Sequence, residues 1–436
     1  MKSTFFALIM FIAPVAIFAQ EDELSPMERL QNDVEILKDN DLKNSALKIT
    51  GYMQPQWQWG GPGAAIKVGK GNTGTDNYSR FGIRRARLKF EYDEKLLGIA
   101  SGVFHFNITD KEGLKGATVQ LKEAYLKVKE PVNMLSAIVA GVFSRPFGHE
   151  VIYSTSSIET PERSRIITTL FPEESDMGAM VSLRPSLGSP LNFLCLEGGL
   201  FAGNAINPET DDRMDFIGHL TATSQNLDFA KLGLGVSYYN GGIYQTNSNV
   251  YSMSGDKFVL NSDVANVGAY APRQYYGVDA QATFETPIGM TQFRYETVFG
   301  SQPGNKSTTA SPNRAALPAA EDTYIRPMYG WYATVIQDIG HIPVSAVVKY
   351  DVYDPNTAVK GDQIGVAGSN TSSVDVKYST LALGGIWRIN SKLRFSAFYE
   401  MVKNETTSAI ASTDILKNFT TDIADDVVTV RMQFRF

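Results

Sequence analysis

From about residue 46 to its last residue, this chain is written in a period of two. In "DDVVTVRMQFRF", residues 425–436, Val428, Val430, Met432, Phe434 and Phe436 alternate with Thr429, Arg431, Gln433 and Arg435. In "ALKITGYMQPQW", Leu47, Ile49, Gly51 and Met53 alternate with Lys48, Thr50, Tyr52 and Gln54. Successive side chains of a strand point to opposite faces, so each segment has one apolar and one polar face. A soluble sandwich buries the apolar face in a core and wets the other. A transmembrane barrel does the reverse, with apolar residues toward lipid and polar ones toward a lumen, and it must close because an open edge would leave unpaired backbone in hydrocarbon.

Loop lengths separate these two solutions. Sixteen candidate strands lie near 46–59, 80–93, 96–109, 117–130, 135–145, 174–185, 190–203, 213–225, 229–240, 273–286, 288–300, 324–338, 341–354, 374–389, 391–404 and 424–436. Their connections alternate long and short. The stretch 60–79 is followed by "DEK", 146–173 by "SLGS", 241–272 by "TPIG", 301–323 by "IGH" and 355–373 by "NS". Long loops at one end and tight turns at the other are the pattern of an outer-membrane barrel. The expected fold is all-β: a 16-stranded antiparallel transmembrane β-barrel over 46–436 with a short N-terminal helix. Trp57, Trp59, Phe398 and Tyr399 fall near strand ends, where interface girdles would sit.

The N-terminus reads differently. Residues 1–19 carry Lys2, an apolar run from Phe5 to Phe18 and a small residue, Ala19, before an acidic stretch, the pattern of a secretory signal peptide. Residues 20–45 are expected to be a periplasmic helical segment, with Ser25 as N-cap and Pro26 in the first turn, in which Met27, Leu30, Val34 and Leu37 read either as a short coiled-coil seam or as the apolar face of one amphipathic helix on the body of the protein. Beyond the leader no apolar run is long enough for a spanning helix. Cys195 is the single cysteine, so no intrachain disulfide can form.

Charge excludes one class and raises a question. With 40 Lys+Arg against 46 Asp+Glu, the chain lacks the basic excess of a nucleic-acid binder, and nucleic acid is not an expected partner. Yet "RFGIRRARLKFEYDE", residues 80–94, concentrates basic residues. As a strand it puts Arg85, Arg87, Lys89 and Glu91 on one face and Ala86, Leu88, Phe90 and Tyr92 on the other, so the charges line a pore wall. Strict alternation turns Arg84 away from Arg85, and a bulge or the pore rim is needed to bring both inward. A second cluster, Arg145, Arg163 and Arg165, lies in the long segment after the fifth strand together with Glu150, Glu159, Glu162, Glu173 and Glu174. The four histidines, His105, His149, His219 and His341, lack metal-ligand spacing. No Ser/His/Asp set is recognisable, so catalytic residues, metal and cofactors are not expected.

The ordered set "FGIRRARLKFEY", "AYLKV", "GVFSRPFGHE", "TSS", "PERS" and "DMGAMVS" resembles the phosphate-selective porins of the porin O and P family, in particular their Bacteroidetes-type relatives, over most of residues 46–436. The resemblance implies an outer-membrane trimer of separate pores, with the long segment folded into each lumen. It further implies an anion-binding constriction from Arg84 and Arg85, Ser156 and Ser157 of "TSS", and Arg163 of "PERS"; Arg87, Lys89, Arg145 and Arg165 join these as candidates on position and charge. The expected function is passive diffusion of small hydrophilic solutes, anionic or neutral, through a Gram-negative outer membrane, with lipid and two further copies of the chain as partners. The alternatives are a β-rich surface or adhesion protein without a pore and a barrel hydrolase.

Overall fold

The computed structural model describes residues 46–69, 76–94, 100–109, 118–132, 135–186, 188–209, 211–224, 227, 229–310, 321–408 and 416–436. The leader and the helical segment 20–45 therefore lie outside the described residues, and Ile49–Phe436 form one compact unit. The strands are β1 (Leu47–Gly60), β2 (Tyr78–Asp93), β3 (Ala100–Thr109), β4 (Thr118–Val132), β5 (Leu135–Ser144), β6 (Ser175–Leu183), β7 (Leu194–Phe201), β8 (Asp215–Thr223) and β9 (Ala230–Tyr244). They continue as β10 (Asn249–Ser254), β11 (Lys257–Ser262), β12 (Tyr270–Thr286), β13 (Gly289–Gly304), β14 (Thr323–Asp338), β15 (Val344–Asp354), β16 (Tyr378–Arg388), β17 (Leu393–Asn404) and β18 (Val427–Arg435).

Sixteen of the eighteen strands in this sheet are staves of one closed antiparallel barrel, each beside its sequence neighbour. The exception is the hairpin β10–β11, two further strands within the long connection expected over 241–272. The barrel passes it by, pairing β9 directly with β12 from Tyr244↔Tyr270 to Ala230↔Phe284. The hairpin lies instead at the long-loop end, where Val250 pairs with Thr323 in parallel and Tyr251 stacks on Tyr324 at 4.4 Å. Val359, Ile364, Val376, Leu416 and Phe419 tie the neighbouring long loops into a small apolar cluster.

The two faces of the wall are those of a membrane barrel. Outside, Met53, Phe81, Leu126, Leu200, Val236, Val278, Val348, Leu383 and Val430 are exposed; inside, Gln54, Gln56, Arg85, Ser237, Asp279, Glu296, Lys349, Thr429, Arg431 and Gln433 are buried. Apolar outside and polar inside inverts a soluble protein, and only a lipid surround makes the outer face favourable. Trp57 and Tyr399 sit on the outer face as girdle residues should: Trp57 donates to Ser79 Oγ at 2.7 Å beside Phe81, and the Tyr399 hydroxyl donates to Asp426. Phe398 does not. It is 3% exposed and packs inside the barrel against Ile336, Val347, Ala382 and Ile386, directly over Gly384, where a Cβ would stand 2.3 Å from its ring. A patch of the inner wall is thus apolar, a departure that composition near a strand end cannot reveal.

Closure joins β1 to β18, from Tyr52↔Arg435 to Gly60↔Val427. At the last residue, Phe436 exchanges two backbone hydrogen bonds with Gly51, both 3.0 Å, while its ring, exposed to the lipid side, lies against the same glycine. Deleting Phe436 removes the end of the seam and the apolar contact together. The folded yield in outer-membrane fractions, read by heat-modifiable gel mobility, is expected to fall several-fold; an unchanged yield would show that the seam closes without it.

Candidate functional site

The segment 145–174 leaves β5 and turns into the lumen before returning to β6. Its first turn is held by the wall. Gly148 adopts φ 57°, and a Cβ there would stand 1.9 Å from Glu296 Oε1, so this position requires glycine. Glu296 Oε2 accepts the backbone N–H of His149 at 3.2 Å and of Glu150 at 2.9 Å and the Tyr332 hydroxyl at 2.9 Å, while Ser237 Oγ accepts from Gly148 N at 2.9 Å. Beyond it a short helix, α1 (Arg165–Leu170), turns Ile166, Ile167 and Leu170 the same way. With Phe147, Val151 and Phe171 they bury against Tyr239, Tyr275, Met328, Tyr332 and Tyr353 of β9, β12, β14 and β15. Burying such side chains fully stabilises by about 1.5–3 kcal/mol each, so one flank of the loop is held by apolar contact.

The other flank is polar and reaches the rest of the wall. Lys349 pairs with Glu150 at 2.6 Å and Arg294 with Glu159 at 2.6 Å. Tyr52 bonds Thr155 Oγ1 at 2.6 Å, Gln433 donates to Ser156 O at 2.8 Å, and Arg394 donates to Ile158 O at 2.8 Å. Glu162 receives Arg84 at 2.6 Å, Arg85 at 2.7 Å and Arg431 at 3.3 Å, and Glu174 receives Lys122 at 2.6 Å. Burial works to raise the Glu162 carboxyl, but Arg84 and Arg85 overcome it and hold the group well below the usual range. Glu174 is held low in the same way by Lys122 and Arg163. Both loop acids are therefore anions at neutral pH.

Of the nine residues singled out in the sequence, the structure brings four to one place. Arg84, Arg85, Arg87 and Arg163 line a cavity of about 230 Å³ between the loop and the β2–β4 wall, together with Lys122, Glu162, Glu173 and Glu174. Arg87 donates to Thr155 Oγ1 at 2.7 Å. Arg163 points partly back into its own loop, its Nε donating to Glu150 O at 2.7 Å and its Nη2 to Tyr153 O at 2.9 Å. The other five are elsewhere. Lys89 pairs with Glu91 on its own strand at 3.0 Å. Arg145 is fully buried, its Nη2 donating to Glu173 O and its guanidinium lying 4.8 Å over Phe171, so it closes the base of the loop. Arg165 stacks 4.1 Å over Tyr378. Ser156 and Ser157 turn their carbonyls to Gln433 and Arg394 rather than toward this cavity.

Arg84 and Arg85 are neighbours yet both reach Glu162, because the inward face of β2 changes parity between them. Above the change Tyr78 is buried and Phe81 is 83% exposed; below it Arg85 is buried. Lys122 was invisible to alternation for a related reason. The β3–β4 register passes from His105↔Glu123 to Phe106↔Leu121, so a bulge turns Lys122 and Glu123 to the same side. Arg294, Arg394 and Arg431 were equally overlooked as site residues; each sits at a polar position of an alternating strand, and nothing in the sequence links it to the loop. Among the described residues no group of His, Cys, Asp and Glu could hold a metal ion. His105 pairs with Glu123 at 2.9 Å and His219 with Asp279 at 3.1 Å, far apart along the wall.

A closed sixteen-strand barrel with an apolar exterior, a charged bore and a long loop folded into it defines the porin class. The family model for phosphate-selective porin O and P matches residues 63–268, which include β2 through β9 and the whole in-folded loop, so the resemblance read from the sequence is borne out. No curated protein matches the chain. Among solved structures, a loop-deletion form of OmpT, an outer membrane protein of Vibrio cholerae, is 8% identical and covers 90% of this chain and 100% of its own, with a TM-score of 0.51. The trimer form of the same protein is 7% identical, covers 89% and 99%, and has a TM-score of 0.49. Salmonella typhi OmpF in complex with daunomycin is 13% identical, covers 89% and 97%, and has a TM-score of 0.48. At these identities such likeness speaks to fold alone. With the family match, the protein is an outer-membrane porin, a channel for small solutes.

Proposed function

We propose that the channel is a passive, anion-preferring pore whose selectivity is set between the in-folded loop and the β2–β4 wall. One observation carries this reading: a cavity between the loop and the β2–β4 wall has a basic border. The cavity there is bordered by Arg84, Arg85, Arg87, Lys122 and Arg163 against Glu162, Glu173 and Glu174, so cationic side chains outnumber acidic ones although the whole chain is acidic. Guanidinium groups stay charged and offer forked donors that suit phosphate oxygens. A charged constriction with low-dielectric walls raises the local concentration of counter-ions and replaces part of a solute's hydration shell. The phosphate preference in the matched family's description fits this wall. Transport needs no energy source, cofactor or catalytic group in this reading.

Export by the leader and assembly of three copies in the membrane complete the proposal. Support for the trimer is the polar-bored barrel's likeness to porins and the apolar seam Met27, Leu30, Val34 and Leu37 ahead of the barrel. The test is a planar-bilayer recording of reversal potential across a KCl gradient. Mild anion preference is expected at low salt, fading as salt rises and the Debye length shortens from ~30 Å at 0.01 M to ~3 Å at 1 M. A cation-selective wild-type pore would refute it.

A further inference from the structure

Three guanidinium groups converge on one loop carboxylate. Arg84 binds both oxygens of Glu162, Nε to Oε1 at 2.6 Å and Nη2 to Oε2 at 2.9 Å. Arg85 Nη2 adds a bond of 2.7 Å to Oε2, and Arg431 Nη2 one of 3.3 Å to Oε1. The cations come from β2 and β18, the two strands that flank β1 in the closed sheet. Glutamines of β1 aim two of them: Gln54 Oε1 accepts from Arg85 at 3.1 Å and Gln56 Oε1 from Arg431 at 2.8 Å. Every donor and both glutamines belong to the wall. The wall therefore presents a preassembled cup of three arginines, and the loop supplies the anion that fills it.

Docking the loop does not require this arrangement. Glu150 and Glu159 are each docked by one cation, Lys349 and Arg294, and Glu174 at the end of the loop meets Lys122, Arg87 and the loop's own Arg163, so Glu162 is the loop acid whose three cations all come from the wall. Three cations around one carboxylate leave an excess of positive charge, with further open volume beside it along Arg87 and Lys122. Paired forks of this kind suit carboxylate, phosphate and sulfate alike, because each offers two oxygens to parallel N–H donors; a halide offers one atom and matches the fork less well.

We infer that Glu162 is a resident counter-anion in an oxyanion site belonging to the barrel wall, and that it sets how strongly the pore holds phosphate-like solutes in passage. The inference deepens the anion-preferring reading and rests on it. A tethered carboxylate competes intramolecularly, at an effective concentration on the order of millimolar for a short linker. A passing oxyanion shares the arginines briefly instead of being captured. A conducting pore needs this balance, since a solute that binds too tightly cannot leave.

The test titrates chloride current through single pores with inorganic phosphate. In Glu162→Gln the carboxylate's charge is gone while its shape remains, and phosphate is expected to block at a concentration about tenfold lower than in the wild type, a shift equal to about 1.4 kcal/mol. Adding Arg431→Gln to that variant should return the blocking concentration toward the wild-type value. If Glu162 serves only to anchor the loop, Glu162→Gln will raise conductance for all ions and leave the phosphate titration where it was, which overturns the inference. Should Glu162→Gln fail to assemble, Arg431→Gln in the otherwise unchanged protein keeps Arg84 and Arg85 on Glu162. It is expected to raise the blocking concentration several-fold, and an unchanged value is again a refutation. A cation-selective wild-type pore is a different failure, since it removes the anion reading before any variant is made.

Discussion

Single-channel conductance should rise several-fold when Ile167 is replaced by Asp. Ile167 is fully buried where α1 meets the tyrosines of β9, β12 and β14. A carboxylate there falls among apolar and aromatic side chains, and the cations that border the cluster, Arg145, Arg273 and Lys349, already face Asp176, Asp215 and Glu150; an uncompensated buried charge costs on the order of 3–5 kcal/mol. The loop can avoid that cost by leaving the wall. Its polar flank then loses its geometry too, because Glu150, Glu159 and Glu162 meet Lys349, Arg294 and Arg84 only while the apolar flank stays docked. The barrel does not share the penalty. Its strands are held by their ladders and by the seam at Gly51 and Phe436, none of which runs through Ile167. Folded pores of higher conductance and unchanged heat-modifiability are the expected result. A folded variant with wild-type conductance would mean that the loop is held by its ion pairs alone.

That asymmetry between wall and loop explains what could be read from the sequence. The staves were legible because the bilayer forces a strict rule on them, apolar out and polar in, and the rule leaves a period of two in strands such as β1 and β18. The turn lengths gave the strand count and the end at which the long loops gather. The in-folding of 145–174 was legible from its length and its family resemblance, and "RIITTLF" carries a further sign, since so apolar a run inside a connection needs an interior partner. Failures came where local geometry breaks the rule. A bulge at Lys122 moves a charge from one face to the other and leaves no mark in composition, whereas the parity change that turns both Arg84 and Arg85 inward is one that their joint candidacy already demanded. Phe398 fails for a different reason: the inner wall of β14–β17 tolerates an apolar patch over Gly384, so an aromatic residue near a strand end need not face lipid. Arg145 and Arg163 make contacts that their chemistry alone does not announce. A guanidinium in a loop reads as a solute-binding group, yet these two give bonds to loop carbonyls, which a sequence cannot display.

The same distinction selects the residues that should govern selectivity. Replacing Arg163 removes bonds to the carbonyls of Glu150, Val151 and Tyr153, so it loosens the loop before it alters the field. Arg85, Arg87 and Lys122 stand on β2 and β4, where truncation leaves the ladders intact and removes charge from the cavity wall. In the triple variant Arg85→Ala, Arg87→Ala, Lys122→Ala the border of that cavity keeps Arg84 and Arg163 against Glu162, Glu173 and Glu174, and its balance turns acidic. With screening over ~8 Å at physiological salt, charges on distant loops cannot compensate. The reversal potential across a KCl gradient should therefore cross from the anion to the cation side, most plainly at low salt. Conductance is the control, because a loosened loop would raise it for both ions without changing the sign. A triple variant that conducts as the wild type does and keeps its anion preference would place the selectivity step outside the β2–β4 wall, and with it the proposed role of the opening arginine-rich strand.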